Sequence, residues 1–403
     1  MNEKLDRREF LVKPVQWAAA AGLLSGVGPS LVAQQRAAQD GAKILTRTLG
    51  KTGIQLPIVS MGVMNADVPG LIRRSYEVGM RHFDTAASYQ GGRNEEMVGG
   101  MIKEMGVREK VVISTKVAFR GQASWSGPQA RNVFRQTFEG SLKRLQMDHV
   151  DILYHHMVES AEQARAEGPL QALMELKKEG KTRFIGLSMH QGAVVVLPEA
   201  VRLGMLDVCL VAINYTLASN QALFDALEQT AKVGIGIVAM KTQAGGLSRP
   251  DPKLPRTLPP HSQTALLKWV LHHPFITTAI PGFTTYEQLE QNFTVASNLE
   301  YTGAEKEFLA DKTFTAEAQF CQQCGECRGD CPRGADIPAL MRSHMYAVQY
   351  RNGEMARATL AMLERGKGLD ACAGCTECQA TCRNHVNIAN KIAHLRASPF
   401  AAA

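Results

Sequence analysis

The sequence predicts an α/β protein, a (β/α)8 barrel followed by a small helical domain rich in cysteine. Between Ile54 and Ser297, eight short apolar segments alternate with amphipathic helical ones, and eight of the nine cysteines lie beyond residue 320. Eight strand–helix units over about 250 residues are the usual size of such a barrel. An open, doubly wound sheet is the alternative, but no G-x-G-x-x-G follows the first strand. We expect the barrel at residues 44–312 and the helical domain at 313–403.

The expected strands are short apolar runs that finish in small or polar residues. In order they read PIVSMG, HFDTA, VVISTKV, VDILYHH, RFIGLSM, VCLVAIN, IGIVAMK and ITTAIPG. The segments between them have apolar residues at helical spacing, as in RNVFRQTFEGSLKRL, PLQALMELKKEG, NQALFDALEQTAK and TALLKWVLHH. Cys209 falls inside an expected strand and is therefore interpreted as a core residue.

The composition is that of a soluble globular protein. The apolar content is 45%, the net charge is +7 and the mean hydropathy is -0.14. The charge is spread along the chain without a basic run, which argues against nucleic-acid binding. No segment after the first 36 residues is long and apolar enough to cross a bilayer, so we expect no transmembrane domain in the mature protein.

The first 36 residues resemble a bacterial twin-arginine signal peptide. The paired Arg7 and Arg8 in DRREFL precede an almost uncharged run from Trp17 to Ala33. A membrane anchor is the alternative, although the glycines and proline of that run make it a poor spanning helix. Because the twin-arginine route exports folded proteins, a periplasmic or otherwise exported protein with a preassembled cofactor is expected.

Two cysteine runs indicate that cofactor. CQQCGECRGDCP and CAGCTECQATCR each have the spacing C-x2-C-x2-C-x3-C. Disulfides and zinc are the alternatives, but cysteines two and three residues apart suit one compact iron–sulfur cluster better. We therefore predict two 4Fe-4S clusters. In two-cluster ferredoxins the fourth cysteine of each run binds the other cluster, so one ligand set is Cys321, Cys324, Cys327 and Cys382, and the other is Cys372, Cys375, Cys378 and Cys331.

The segment between the cysteine runs has helical periodicity. Apolar residues recur from Ile337 to Val348 and again after Gly353. With the cysteine spacing, this pattern resembles the alpha-helical ferredoxins. Arg383 stands where a proline would follow the second run, a departure that affects the second loop or its cluster potential.

Ionisable residues at the expected strand ends form a proton-donor set. Asp84 and Tyr89 follow the second strand, Lys116 ends the third and His156 ends the fourth. Taken alone, each of the four could be a structural residue, either at the rim of the barrel or in its core. Together, a lysine ammonium held by a carboxylate favours the tyrosinate and eases proton donation by the phenol, while an imidazole orients a carbonyl.

The chain resembles the aldo-keto reductases over roughly residues 46–300. The matching stretches are LGKTGIQLPIVSMG, FDTAASY, STK, VDILYHH, LKKEGKTRFIGLS and IPG-F-TTYEQLEQN. The resemblance implies hydride transfer between a nicotinamide cofactor and a small-molecule carbonyl or alcohol. Tyr89 would be the acid, Lys116 and Asp84 would tune it, and His156 would position the carbonyl, with His155 facing the barrel wall.

The cofactor contacts of the family are only partly present. Ser188 is kept, but Met189 and Leu210 replace the asparagine and glutamine that hold the carboxamide. Two basic residues that would bind a 2'-phosphate are replaced, one of them by Gly282 and the other by Gln288. The cofactor-binding candidates are Ser188, Asn214, Lys241 as a phosphate contact, Gly282 and Asn292. The organic cofactor stays open between NAD(P)(H), which the resemblance implies, and a flavin or another organic group, which would couple hydride transfer to one-electron clusters more easily.

Two functions stay open from the sequence. In the first, the protein is an oxidoreductase whose clusters exchange electrons with a redox partner protein or a quinone-linked carrier. In the second, the barrel is catalytically idle and the chain is an electron-transfer or assembly module. The complete proton-donor set favours the first, and the lost carboxamide contacts favour the second.

Overall fold

The computed structural model describes residues 43–118, 127–243, 259–311, 321, 324–349 and 352–399. The expected signal at residues 1–36 lies outside them. All described residues belong to one compact unit, Lys43–Ala403. No described helix is long and apolar enough to span a membrane.

An eight-stranded parallel sheet forms the centre of the molecule. Its strands are joined in sequence order, and each of the eight expected segments overlaps one of them. The first two strands of the chain instead form an antiparallel hairpin. The hairpin strands are β1 (Thr46–Thr48) and β2 (Gln55–Pro57), and the sheet comprises β3 (Met61–Gly62), β4 (His82–Asp84), β5 (Val112–Val117), β6 (Val150–His156), β7 (Thr182–Met189), β8 (Val208–Ala212), β9 (Gly236–Met240) and β10 (Ile276–Ala279).

The sheet closes on itself between its first and last strands. The amide of Ser60 donates to the carbonyl of Ala279, and parallel bridges join Val59 to Ala279 and Gly62 to Gly282. Gly62 is required here because a Cβ would lie 2.7 Å from the carbonyl oxygen of Ile280. The (β/α)8 barrel predicted from the sequence is confirmed.

Helices surround the barrel, and their apolar faces pack on the outer side of the strands. Several begin with a side-chain cap, such as Thr302, which forms a capping box with Glu305. The helices of this layer are α1 (Pro69–Val78), α2 (Arg93–Met105), α3 (Pro128–Leu145), α4 (Ala161–Ala164), α5 (Glu167–Lys178), α6 (Ala193–Leu203), α7 (Gln221–Lys232), α8 (Ser262–Leu271), α9 (Tyr286–Phe293) and α10 (Gly303–Ala310).

The barrel interior is a separate apolar cluster, since alternate residues of each strand point inward. Ile152 and Tyr154 of β6 and Leu210 of β8 belong to it, and Leu49 and Leu56 of the hairpin region join them. Filled in this way, the interior is a core and not a pore. The described interior strands therefore leave no room for a ligand along the barrel axis.

The C-terminal region is helical, as the sequence predicts. It comprises α11 (Ile337–His344), a π-helical turn (Met345–Gln349), α12 (Gly353–Ala361) and α13 (Ile388–Ala397). The two cysteine runs are followed by equivalent structures: Asp336 and Asn387, each five residues after the last cysteine of a run, cap α11 and α13. Apolar residues of both helices pack with the cysteines into one small core.

Candidate active site

The four proton-donor candidates come together at the carboxyl end of the barrel. Asp84 ends β4, Lys116 lies near the end of β5, and His156 ends β6. Tyr89 lies in the 3-10 turn Tyr89–Gly92 just after β4. All four side chains are buried. Neighbouring parallel strands end at the same edge, so residues distant in sequence meet there.

Lys116 contacts both Asp84 and Tyr89. Its Nζ donates to an Asp84 carboxylate oxygen and lies 3.4 Å from the Tyr89 hydroxyl. Burial lowers the pKa of Lys116, and the Asp84 carboxylate opposes that shift. Ser114 holds the second Asp84 oxygen at 2.6 Å. The arrangement keeps a cation beside a phenol in a buried site, where the cation favours loss of the phenolic proton.

Two histidines lie beside the phenol. The His156 ring is 6.2 Å from the Tyr89 ring and 5.7 Å from that of His190, which follows β7. Burial, and next the nearby lysines, hold the pKa values of His156 and His190 well below the usual 6.5, so both imidazoles are neutral at pH 7. Within the described residues, neither His156 ring nitrogen has a hydrogen-bond partner. A buried neutral imidazole of this kind is suited to donate to a ligand oxygen.

His155 faces the opposite way from His156. Its ring packs edge-on against Phe134 of α3, with centroids 6.1 Å apart, in the layer between strands and helices. Successive strand residues point to opposite faces, so only one member of the HH pair reaches the barrel mouth. The structure thus places His156, and not His155, with Tyr89.

A cavity of 290 Å³ extends from this group towards β9 and β10. Asp84 and Tyr89 line one end of it, and the residues after β10 line the other. Among the described lining residues, only Asp84 and Lys241 carry a charge. The remaining polar lining residues are Asn65, Thr242, Gln243, Gln263, Thr284, Gln288, Gln291 and Asn292.

The cofactor-binding candidates separate into two sets. Lys241, Gly282 and Asn292 line the cavity. Ser188 and Asn214 do not; the Asn214 side chain accepts from the amide and hydroxyl of Thr216 instead. Buried donors and acceptors, including a Thr242 hydroxyl without a partner among the described residues, give the cavity groups that suit a polar nucleotide.

The C-terminal helical region covers the barrel mouth. Tyr346, in the π-helical turn, packs against Met64 and Tyr89 and is 1% exposed. Its hydroxyl lies 3.3 Å from His190 Nε2. Nearby, Arg342 of α11 donates to Glu159, which follows β6 by three residues. The site is therefore made by both parts of the chain.

Eight of the nine cysteines divide into two groups of four according to which thiols act on one another electrostatically. Burial and the neighbouring thiols raise the pKa of Cys327 to about 12 and also raise that of Cys372. The thiols acting on Cys327 include Cys382 of the second run, and those acting on Cys372 include Cys331 of the first. The groups are Cys321, Cys324, Cys327 and Cys382, and Cys331, Cys372, Cys375 and Cys378.

This donor set fits iron–sulfur clusters. All nine cysteines are free thiols in the part of the chain that the structure describes, and Cys209 is buried in β8. Arg333 donates to the sulfur of Cys375 at 3.4 Å, and Asn384 lies 3.9 Å from that of Cys324. Hydrogen bonds to thiolate sulfur are a usual means of tuning cluster potentials. When bound, the clusters would supply one-electron transfer.

Comparison with known proteins identifies both parts of the chain. Residues 55–257 match the aldo/keto reductase family. The protein belongs to the aldo/keto reductase family. Residues 320–387 match a 4Fe-4S dicluster domain. It is an oxidoreductase of aldo/keto reductase type that carries this domain after its barrel in the sequence.

Curated relatives cover the barrel. L-galactose dehydrogenase of Arabidopsis thaliana is 28% identical over 303 residues, covering 67% of this chain and 93% of the plant protein. L-glyceraldehyde 3-phosphate reductase of Escherichia coli (strain K12) is 26% identical over 317 residues, covering 64% and 89%. A dehydrogenase and a reductase are both oxidoreductases.

Solved structures agree on the fold. The holo form of an aldo-keto reductase from Bacillus halodurans has a TM-score of 0.56 at 22% identity, covering 66% of this chain and 95% of that one. A putative aldo-keto reductase from Pseudomonas aeruginosa gives 0.52 at 24%. At this level of identity the likeness shows the (β/α)8 fold alone.

Sequence reasoning missed four residues of the mouth. His190 could have been predicted, because it directly follows an expected strand, and His156 likewise lies at a strand end. The other three residues could not have been predicted, because they lie at the contact between the barrel and the C-terminal region. They are Glu159, Arg342 and Tyr346. No local pattern marks a contact between residues 183 positions apart.

Proposed function

We propose that the protein interconverts a carbonyl and an alcohol, using a nicotinamide bound in the cavity, and exchanges the electrons with a redox partner through two 4Fe-4S clusters. The observation that supports this is the position of the C-terminal region. Its helices cover the strand ends where Asp84, Tyr89, Lys116 and His156 meet. Electron transfer requires such proximity.

The residues of the barrel have distinct tasks in this proposal. Tyr89 gives its proton to the carbonyl oxygen, and Lys116 stabilises the phenolate that is left. Asp84 keeps the lysine charged against the effect of burial. Neutral His156 donates a hydrogen bond that fixes the carbonyl. A bound nicotinamide would supply or accept the hydride.

The number of electrons balances if the clusters deliver two electrons, one at a time, for each hydride. Reduction of one carbonyl consumes a hydride and a proton, and regeneration of the hydride consumes two electrons and a proton. Two clusters, each passing one electron, meet that demand. In the reverse direction, alcohol oxidation delivers two electrons to the partner, a protein or quinone-linked carrier.

We further propose that any nicotinamide is NAD(H)-like in preference, or loaded tightly before export. The described far end of the cavity offers the amides of Gln288, Gln291 and Asn292 and no basic side chain. Side-chain amides can form hydrogen bonds with the hydroxyls of the adenosine ribose, whereas a 2'-phosphate is usually bound by arginine or lysine.

The decisive experiment uses the whole anaerobic protein. Protein with reduced clusters, freed of unbound nucleotide, is mixed with a carbonyl panel that begins with L-galactose and L-glyceraldehyde 3-phosphate. We expect one alcohol for every two electrons lost from the clusters, and mass spectrometry of the denatured protein should identify a released nicotinamide. Turnover that needs stoichiometric added NADPH and ignores the cluster state would contradict the coupling. Cluster oxidation by a partner without any carbonyl turnover would instead favour the idle barrel.

We also propose export by the twin-arginine route. The motif DRREFL and the clusters support it, because clusters are inserted before a folded protein is moved. Changing Arg7 and Arg8 to lysine should leave folded, brown protein in the cytoplasm. Export of that variant at the normal level would contradict this proposal.

A further inference from the structure

A chain of hydrogen bonds runs from the barrel mouth into the barrel interior. His82 begins β4 and Asp84 ends it, while Ser114 and Lys116 lie on the neighbouring strand β5. Alternate residues of a strand share one face, and Asp84 is paired with Ser114 in the register of the two strands. The four side chains therefore meet inside the barrel, where each is 2% exposed or less.

Ser114 lies between His82 and Asp84. Its Oγ is 2.9 Å from His82 Nε2 and donates to an Asp84 oxygen at 2.6 Å. A hydroxyl has one proton, and the Asp84 carboxylate, which is paired with the Lys116 ammonium, can only accept. The Ser114 oxygen must therefore accept from His82, which fixes the imidazole proton on Nε2.

The His82 imidazole is neutral at pH 7. Burial lowers its pKa to about 4, although the Asp84 charge opposes that shift. With its proton on Nε2, the ring has only Nδ1 left, and this atom has no hydrogen-bond partner within the described residues. Burying a polar ring costs free energy, so a ring in this position is held mainly by its bond to Ser114.

This chain acts on the Asp84 carboxylate. One Asp84 oxygen accepts from Lys116 and the other from Ser114. A hydrogen bond to a carboxylate partly compensates its charge, and a hydroxyl that accepts one hydrogen bond is a stronger donor in the next. A compensated Asp84 offsets less of the ammonium charge, so Lys116 Nζ acts more strongly on the Tyr89 hydroxyl 3.4 Å away.

We propose that His82 and Ser114 are positioning residues of the reaction, which act through Asp84 and Lys116 to make the Tyr89 phenol a better acid. The inference rests on the proposed function, in which Tyr89 is the proton donor. Neither His82 nor Ser114 is among the described residues that line the cavity. A purely structural chain would contribute to stability and leave the acidity of Tyr89 unchanged.

Titration of the Tyr89 phenol tests this without a substrate. The ultraviolet absorbance of phenolate is followed against pH in the anaerobic protein with its clusters. The spectrum of Tyr89→Phe is subtracted, because the clusters and the other tyrosines contribute to both, and every variant has its own Tyr89→Phe reference. Ser114→Ala should move the Tyr89 midpoint to higher pH, with about threefold less phenolate or lower at a given pH below the midpoint.

Two changes at His82 test the role of its Nε2 proton. His82→Leu removes the donor to Ser114 and should move the Tyr89 midpoint in the same direction as Ser114→Ala. His82→Gln can place an amide N–H where Nε2–H was, so its titration should stay close to that of the parent.

Thr115→Val is the matched control. Thr115 is the next residue on β5, is as buried as Ser114, and donates to Glu95 at 2.5 Å on the opposite face of the strand. Its loss also removes a buried hydrogen bond from a hydroxyl to a carboxylate. We expect a lower free energy of unfolding and an unchanged Tyr89 titration.

Other titratable or charged groups near the phenol are the same in the parent and in all of these variants. His156 and His190 lie on one side of the mouth, and Tyr346 of the C-terminal region packs against Tyr89. Lys241, over the Tyr346 ring, is the next cation after Lys116. A difference between parent and variant therefore reports on the changed residue.

The outcomes separate the inference from the proposed function. An unchanged Tyr89 midpoint in Ser114→Ala, or an equal shift in Thr115→Val, would overturn the inference whatever the turnover. Equal shifts in His82→Gln and His82→Leu would overturn the part assigned to the Nε2 proton. The expected shifts in a protein that converts no member of the carbonyl panel would contradict the proposed function and support the tuning of Tyr89. Iron content and circular dichroism verify that each variant is folded.

Discussion

Glu159 of the barrel accepts a hydrogen bond from Arg342 of the C-terminal region, and both side chains are more than nine-tenths buried. Arg328, next to the expected cluster ligand Cys327, also donates to Glu159 at 3.2 Å. Gln191, just after β7, binds the same carboxylate. One carboxylate three residues after His156 therefore joins the barrel mouth to the first cysteine run.

Glu159→Gln should loosen the contact between the two parts of the chain. The change keeps the shape but leaves the buried guanidinium of Arg342 without a counter-charge, and breaking a buried pair in this way costs about 3–5 kcal/mol. We expect faster hydrogen exchange in α11 and α12 and slower electron transfer between clusters and substrate.

Glu354→Gln provides the control for that variant. It removes an ion pair with Arg93 at the same contact, but both side chains there are substantially exposed. A surface pair contributes about 0–1 kcal/mol, so little should change. Equal effects of the two variants would show that the Glu159 pair has no special part in the contact.

The two electrostatic groups of cysteines predict which cluster each thiol would bind. The intact protein should hold about eight iron and eight sulfide per chain. Cys331→Ser should damage the cluster of the second run, because Cys331 lies with Cys372. Cys382→Ser should damage the cluster of the first run, because it lies with Cys327. Electron paramagnetic resonance of the reduced variants distinguishes the two clusters, and loss of the cluster of the same run would refute crossed ligation.

The barrel was predictable because its pattern is local. Each strand is a short apolar run, and two of the site residues, Asp84 and His156, are the last residues of their strands. The alternation of inward and outward residues along β6 separates His156 from its neighbour. Eight repeats of that pattern leave few other folds.

The residues at the barrel mouth were less predictable, because they meet only when the C-terminal region packs on the barrel. Tyr346 comes to the site from a π-helical turn after α11, and nothing in its local sequence indicates a barrel contact. The sequence offered Lys241 as a phosphate contact, but it did not indicate its neighbours Met64 and Tyr346. Such contacts between distant segments arise from packing, which a single sequence does not encode locally.

Stability should fall in acid because of buried neutral histidines. Burial lowers the pKa of His82 to about 4 and that of His155 to about 3. Below about pH 6.5 the unfolded chain binds protons at these residues and the folded protein does not, so stability present above that pH is lost as the pH falls. Each histidine contributes a slope of about 1.4 kcal/mol per pH unit.

His155→Gln should reduce that slope. The ring is outside the mouth, so turnover is a poor readout, and denaturant unfolding of the anaerobic protein between pH 6.5 and 4.5 is the measurement. Loss of the clusters in acid affects the variant and the parent equally. It therefore cancels when the free energy of unfolding of one is subtracted from that of the other. A variant with the parent slope would show that His155 does not titrate on unfolding in this range.

Tyr89→Phe should lower carbonyl turnover by about 100-fold or more, because a positioned general acid contributes on that scale. The ring stays and keeps its packing against Met64 and Tyr346, so iron content and substrate binding should be nearly unchanged. The hydroxyl that is lost is the one 3.4 Å from Lys116 Nζ. Tyr286→Phe, which removes a hydroxyl from a half-exposed surface tyrosine, is the matched control. If turnover of a proven substrate survives in the Tyr89 variant, another group donates the proton and the arrangement of Lys116 and Asp84 serves the fold and not the reaction.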